Sequence, residues 1–225
     1  MKTENILVVG DLHLPFELDH YLEFCIQIKN RCKCEKVIMI GDLVDNHAFS
    51  FHHDIDPDGL SPKYEIDEAK KRLRSWYSAF PEAFLCLGNH DARVDLKAKH
   101  VGLPSEVFRP FRDIWGLPGG WREDFSWEID GVRFTHGTGL SGDNAHLTAA
   151  IRNRQSTVIG HIHHLSTMAY TASEKDCIFG MAVGCGIDRK TYAFEYGRDF
   201  TKKPVISCGI VTDKGKYCQV FKMDI

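Results

Sequence analysis

Five times along the chain a short apolar run breaks off into polar residues: NILVVGDLH from Asn5, KVIMIGDLVDN from Lys36, AFLCLGNHD from Ala83, VRFTHG from Val132 and STVIGHIHH from Ser156. Each run is mostly Val, Ile, Leu, Phe or Cys. Each ends in Asp, Asn or His, usually straight after Gly. Apolar runs of this length fit strands covered on both faces, as in a sheet flanked by helices. In such sheets ligands gather at the carboxyl ends of the strands, so the five polar tips are expected on one rim.

The connecting segments carry the helical period. Ser61-Pro62 reads as a cap and first turn. Ile66, Ala69, Leu73, Trp76, Tyr77 and Phe80 follow at helical spacing, with Lys70, Lys71, Arg72 and Arg74 largely opposite. This is a packing helix with a solvated basic face. Residues 18–30 and 143–155 are further candidate helices. From about residue 165, strand-like pieces alternate with Gly and Asp/Lys turns, as in TDKGKYCQVFKM, which adds more sheet. No internal repeat or linker marks a boundary, so residues 1–225 are expected to form a single α/β domain.

Composition narrows the setting. With 225 residues, 43% of them hydrophobic and 26% charged, the chain can bury a sizeable core. No apolar run approaches the ~18 residues that cross a bilayer, and MKTENILVVGD lacks a signal-peptide pattern. A cytoplasmic protein without a membrane partner is the expectation. The net charge of -3 offers no broad basic footprint for nucleic acid, although Lys70 to Arg74 and the pair Arg152 and Arg154 are local basic clusters. The eight cysteines lie mostly in apolar runs, which fits reduced core thiols. Cys32 and Cys34 form a lone Cys-x-Cys, a weak zinc signal without a second pair.

The tips hold the candidate chemistry: Asp11 and His13, Asp42 and Asp45, Asn89, His90 and Asp91, His136, then His161 and His163. That is more oxygen and nitrogen ligation than one tetrahedral metal can use. Two five- or six-coordinate metals sharing a carboxylate would use most of it. Strand alternation turns His161 and His163 to one face and His164 to the other. Asp91 is expected to cap a following helix, and His20, His100 and His146 to be surface or packing residues.

Taken in order, GDLH, GDLVDN, GNHD, THG and GHIHH resemble the five signature motifs of the calcineurin-like metallophosphoesterases, across residues 10 to 164. The resemblance implies a four-layer α/β/β/α sandwich of two mixed sheets flanked by helices. It implies two divalent metal ions, with Asp11, His13 and His163 on one, Asn89, His136 and His161 on the other, and Asp42 bridging them. His90 would sit over the metals without ligating them and donate to the leaving group, oriented by Asp45. Mn²⁺ is the first choice of ion, and Fe, Zn²⁺ and Ni²⁺ also suit these ligands. In the family's protein Ser/Thr phosphatases an arginine stands where this chain has Asn46, and Glu where it has Asp91. The pattern is closer to the small bacterial and phage-type phosphodiesterases and nuclease-like members.

Three stretches bear on the substrate. NHAFSFHHDIDPDGL follows the bridging loop and offers Asn46, His47, His52 or His53 as substrate contacts, or is a polar surface loop. HGTGLSGDNAH could line the cleft with backbone N–H groups, or simply connect. GCGIDRKTYAFEYGRDF mixes Arg189, Lys190 and Arg198 with Tyr192, Phe194 and Tyr196; these aromatics could stack a nucleobase or pack into the core. The leading expectation is hydrolysis of a phosphodiester in a nucleotide or nucleic acid by metal-activated water. The alternatives are hydrolysis of a phosphomonoester, on a nucleotide or other small phosphate, and a non-catalytic scaffold. A scaffold has no physical need for the full ligand set. No motif speaks to oligomeric state.

Overall fold

The computed structural model describes residues 4–50, 61–192 and 201–224. All five apolar runs are strands that stop where the polar tips begin: β1 (Asn5–Val9), β2 (Cys34–Met39), β3 (Ala83–Cys86), β6 (Val132–Thr135) and β7 (Thr157–Ile159). Two strands between these runs, β4 (Trp121–Asp124) and β5 (Ser126–Ile129), have no clear sequence signal. Beyond residue 165 come β8 (Ser166–Ala172), β9 (Cys177–Val183), β10 (Ser207–Thr212) and β11 (Tyr217–Lys222).

They form two mixed sheets, ordered β11-β10-β1-β2-β3-β4 and β5-β6-β7-β9-β8. In the first, β1 to β4 run parallel and β10 joins β1 antiparallel. In the second, β6, β7 and β9 are parallel. Parallel neighbours end on the same side, and this brings the tips to one rim.

The helices are α1 (Tyr21–Arg31), α2 (Pro62–Ala79), α3 (Arg93–His100), α4 (Phe111–Trp115), α5 (Ala145–Asn153) and α6 (Arg189–Tyr192). Strand alternation sorts the core into layers. Leu7, Val9, Val37, Met39 and Leu85 face Tyr21, Cys25 and Ile28 of α1 and Ala69, Leu73 and Trp76 of α2. Ile6, Val8, Ile38 and Cys86 point the other way, against Val132, Phe134, Val158, Phe179, Met181 and Val183 of the second sheet. Ile159 and Ala182 pack on Ala145 and Ala149 of α5. The order is helix, sheet, sheet, helix, as the resemblance implied.

Local signals account for most of these boundaries. Ser61 Oγ accepts the Tyr64 N–H at 3.3 Å and Pro62 opens α2, as the sequence predicts. The basic face of α2 is less solvated than expected: Arg72 pairs with Glu17 at 3.2 Å, and Lys70 lies 6.0 Å over the Trp115 ring. The region from 93 to 129 lacks sustained periodicity and is held by long-range bonds. Arg112 grips Glu123 through two contacts of 2.9 and 2.7 Å, and the Trp121 indole donates to the Phe80 carbonyl at 2.7 Å. The eight cysteines carry free thiols, seven of them buried or half-buried. No helix among the described residues is long and apolar enough to cross a membrane.

Candidate metal centre

Where β1 and β2 end, the chain turns through left-handed backbone at His13 (φ 50°), Asp42 (φ 47°) and Asn46 (φ 51°), and after β7 at His161 (φ 65°). Such conformations cost of order 1–3 kcal/mol each in bulky residues, less in Asn or Asp. Here they aim side chains at a common point. The first two tips are zipped together, because Leu12 and His13 both donate their N–H to the Asp42 carbonyl, at 3.1 and 2.9 Å.

Two of the tip glycines are there for close approach. A Cβ on Gly88 would lie 2.1 Å from Asp42 Oδ1, and one on Gly160 would lie 2.2 Å from Asp11 Oδ1. Nothing larger than hydrogen fits between the backbone and those carboxylates. Gly88→Ala is therefore expected to displace Asp42 and lower bound metal by at least the ~10–100-fold in affinity that losing an outer support costs. Equilibrium dialysis with Mn²⁺ measures this; unchanged affinity would remove the role given to the glycine.

The side chains gather in overlapping groups. Asp11, His13, Asp42 and His163 each place a ligand atom within 4.8 Å of the others, and so do Asp42, His136 and His161. Asp42 is common to both. His136 Nε2 lies 3.0 Å from Asn89 Oδ1, 3.1 Å from Asp42 Oδ2 and 3.2 Å from His161 Nδ1. On the other side, His163 Nε2 is 3.1 Å from His13 Nε2 and 3.2 Å from Asp11 Oδ2.

This crowding tests whether metals fit. A single proton on His136 Nε2 can satisfy only one of its three neighbours, and the remaining lone pairs would face each other. A shared cation satisfies all of them, and the nitrogen and carboxylate donors suit a first-row divalent ion. Asp11 Oδ1 is buried with no hydrogen-bond partner among the described residues, which leaves it available as a ligand. The field points the same way. Burial disfavours the imidazolium of His136, yet Asp42 and Asp11 outweigh it and push the group up to about 9. Burial works against the Asp42 carboxylate as well, but His136 and His90 hold it well below its ordinary range. The pocket therefore attracts positive charge. A metal would compete there with a proton.

Asp45 holds the edge of the site. It is 1% exposed and accepts from His13 Nδ1 at 2.7 Å and His90 Nδ1 at 3.1 Å. Burial alone would raise its carboxyl; these two bonds reverse that and keep it ionised. The bond to His13 leaves Nε2 as the lone-pair nitrogen facing Asp42 and His163. Burial and the neighbouring His90 push His13 down to about 4, so it stays neutral at ordinary pH. Sequence reasoning linked Asp45 only to His90; its bond to His13 emerges from the structure.

Several expectations need correction. Asp91 caps no helix: α3 begins after Ala92 without a side-chain cap. Its carboxylate instead accepts the N–H groups of Gly88 and Val44, at 2.9 and 3.2 Å, and so ties the second tip to the third. Burial, then Asp42, push its carboxyl up to about 7. Asn46, expected as a substrate contact, is 2% exposed; its Oδ1 has no hydrogen-bond partner among the described residues, and its amide donates to the His90 carbonyl at 2.9 Å. That makes it a stitch between loops. His47 lies on a short 3₁₀ turn, His47–Phe49, with its ring 35% exposed and near Asp45. His164 does point elsewhere, 3.2 Å from Asp143, but strand alternation is not the cause. The strand ends at Ile159, and a turn at His161 sets all three histidines. His146 is buried packing, while His52, His53, Phe194, Tyr196 and Arg198 lie outside the described residues.

Two residues missed by sequence reasoning belong here. Glu65 is buried and accepts the N–H groups of His47 and Ala48 at 2.7 and 3.1 Å, which anchors that turn to α2. Its signal was visible in retrospect: Glu65, Ala69, Leu73 and Trp76 form the buried stripe of the helix, so a carboxylate stands at an apolar position. Arg93 Nη2 lies 3.0 Å from His90 Nε2. Only its place three residues after His90 hinted at that contact.

The family model described as calcineurin-like phosphoesterase matches residues 4–171. The chain belongs to the calcineurin-like phosphoesterase family. Among solved structures it is similar to vacuolar protein sorting 29 from Cryptosporidium parvum, at 13% identity and TM-score 0.49, covering 99% of this chain and 92% of that one. It is also similar to Yfce, a phosphoesterase from E. coli, at 15% identity and TM-score 0.44, covering 92% and 87%. Vps29 from Chaetomium thermophilum matches at 14% identity and TM-score 0.40, covering 98% and 97%. No curated protein matches the sequence.

Proposed function

We propose that this protein is a metal-dependent phosphoesterase that hydrolyses phosphodiester bonds in nucleotides or nucleic acid at a two-metal centre. The observation that carries the reading is the pair of largely buried donor groups joined through Asp42, each with one half-buried histidine. Asp11, His13 and His163 would hold one ion and Asn89, His136 and His161 the other, with Asp42 between them. Two divalent ions bound there, Mn²⁺ first and Fe, Zn²⁺ or Ni²⁺ as substitutes, would act as Lewis acids on a phosphoryl oxygen and acidify a water molecule.

The chain's own residues supply the rest. His90 is fixed through Nδ1, by the Asp45 carbonyl at 2.8 Å and the carboxylate at 3.1 Å, so Nε2 is the nitrogen left to exchange a proton with the departing oxygen. Asp45 favours the imidazolium that this requires. Asp91 and Asn46 keep the second and third tips in register, so that Asp42 and His90 stay in contact through the His90 N–H at 2.8 Å. A non-catalytic scaffold would gain nothing from burying these carboxylates together.

Treatment with a chelator should abolish hydrolysis of bis(p-nitrophenyl) phosphate, and added Mn²⁺ should restore it. Full turnover by metal-free protein would refute the proposal. Comparison with p-nitrophenyl phosphate, then a nucleotide panel, addresses substrate class: a clear preference for the monoester would move the assignment from diesters to monoesters.

A further inference from the structure

Arg93 has no part in the reading above. It opens α3, and its guanidinium turns back over the second and third tips. Nη1 donates to the Asp45 carbonyl at 2.9 Å and to the Asn46 carbonyl at 3.4 Å, while Nη2 meets His90 Nε2 at 3.0 Å. A guanidinium has five N–H donors. The two carbonyls use both donors on Nη1, and His90 Nε2 can take one from Nη2 only while His90 is neutral, so at least two, on Nη2 and Nε, have no partner among the described residues.

The side chain is only 15% exposed, and among the described residues the carboxylate that approaches it, Asp45, stays at the edge of ion-pair range. The approach within 4 Å is Asp45 Oδ2 at 3.9 Å, and the other oxygen of Asp45 already serves His13 and His90. A cation desolvated to this degree is costly unless an anion reaches it. A loop-tying arginine would spend its donors on carbonyls. Among the described residues this one keeps two in hand beside the imidazole nitrogen that would meet a leaving group.

We propose that Arg93 is a phosphate clamp, a substrate-binding residue whose spare N–H pair receives a non-bridging oxygen of the phosphate group while its Nη1 stays anchored to the Asp45 and Asn46 carbonyls. The inference rests on the phosphoesterase reading and deepens it. The guanidinium fork suits two phosphate contacts at once, and a lysine ammonium cannot reproduce it.

The test uses the Mn²⁺-loaded protein with inorganic phosphate as the probe in calorimetry, alongside turnover of bis(p-nitrophenyl) phosphate and p-nitrophenyl phosphate. Arg93→Ala should weaken phosphate binding by about 10- to 100-fold, raise KM more than it lowers kcat, and leave metal content unchanged. Arg93→Lys should fall between the two, and added guanidinium ion should return part of the lost activity of Arg93→Ala. Unchanged phosphate affinity in an Arg93→Ala protein that retains its metals would overturn the clamp while leaving the phosphoesterase reading intact. Metal loss in both variants would also overturn it, because Arg93 would then be a support for the loops. Wild-type protein that neither binds phosphate nor turns over either ester would remove both readings together.

Discussion

Asp42→Asn is expected to remove turnover and to strip both metals together. Asn keeps the shape of Asp and its Oδ1 can still accept the His90 N–H, which Asp42 takes at 2.8 Å. What disappears is the negative charge shared by the two donor groups, with His136 at 3.1 Å on one side and His13 at 3.5 Å on the other. The loss of metal affinity should exceed the ~10–100-fold typical of removing an outer partner. Metal analysis of the variant, with its circular dichroism as a check on folding, decides the point. Retention of two ions per chain would show that Asp42 does not bridge.

His90→Ala should behave in the opposite way, with kcat reduced by ~10²–10⁴ and metal content near wild type. The reason is geometric. The link from residue 90 to Asp42 is made by the backbone N–H, which alanine keeps, while the imbalance falls on the leaving group. His90→Asn should resemble His90→Ala in rate, since an amide can hydrogen-bond to Asp45 but cannot transfer the proton. A substrate with a more acidic leaving alcohol should narrow the gap to wild type. Equal losses across leaving groups would contradict proton transfer through His90.

The site was legible because its residues sit at the ends of strands whose own composition announces them. Each tip is a buried run followed within a few residues by its donors, and at Gly88 and Gly160 a glycine stands where a carboxylate passes close, so the signal lies in neighbouring residues. Asp91 was misread because a carboxylate ahead of a helix has the same local appearance whether it caps that helix or reaches a neighbouring loop. The Val44 N–H that it accepts comes from 47 residues upstream. The burial of Asn46 was out of reach for a similar reason: its polarity is local, while its burial is set by the loop carrying His90. Arg93 was missed because a cation in a first helical turn is ordinarily solvated, and only folding places it on an imidazole.

By itself the sequence established the α/β alternation, the five strand-to-tip units and the donor types, since hydrophobic period, glycine spacing and side-chain chemistry are properties of adjacent residues. It also carried the resemblance that the family match makes plain. Tertiary structure alone decided that the last two strands return to β1 while β8 and β9 complete the other sheet. It alone gave Asp45 two histidines to hold. Those outcomes depend on which distant segments pair, and pairing is selected by the burial of whole faces, which no short stretch of chain encodes.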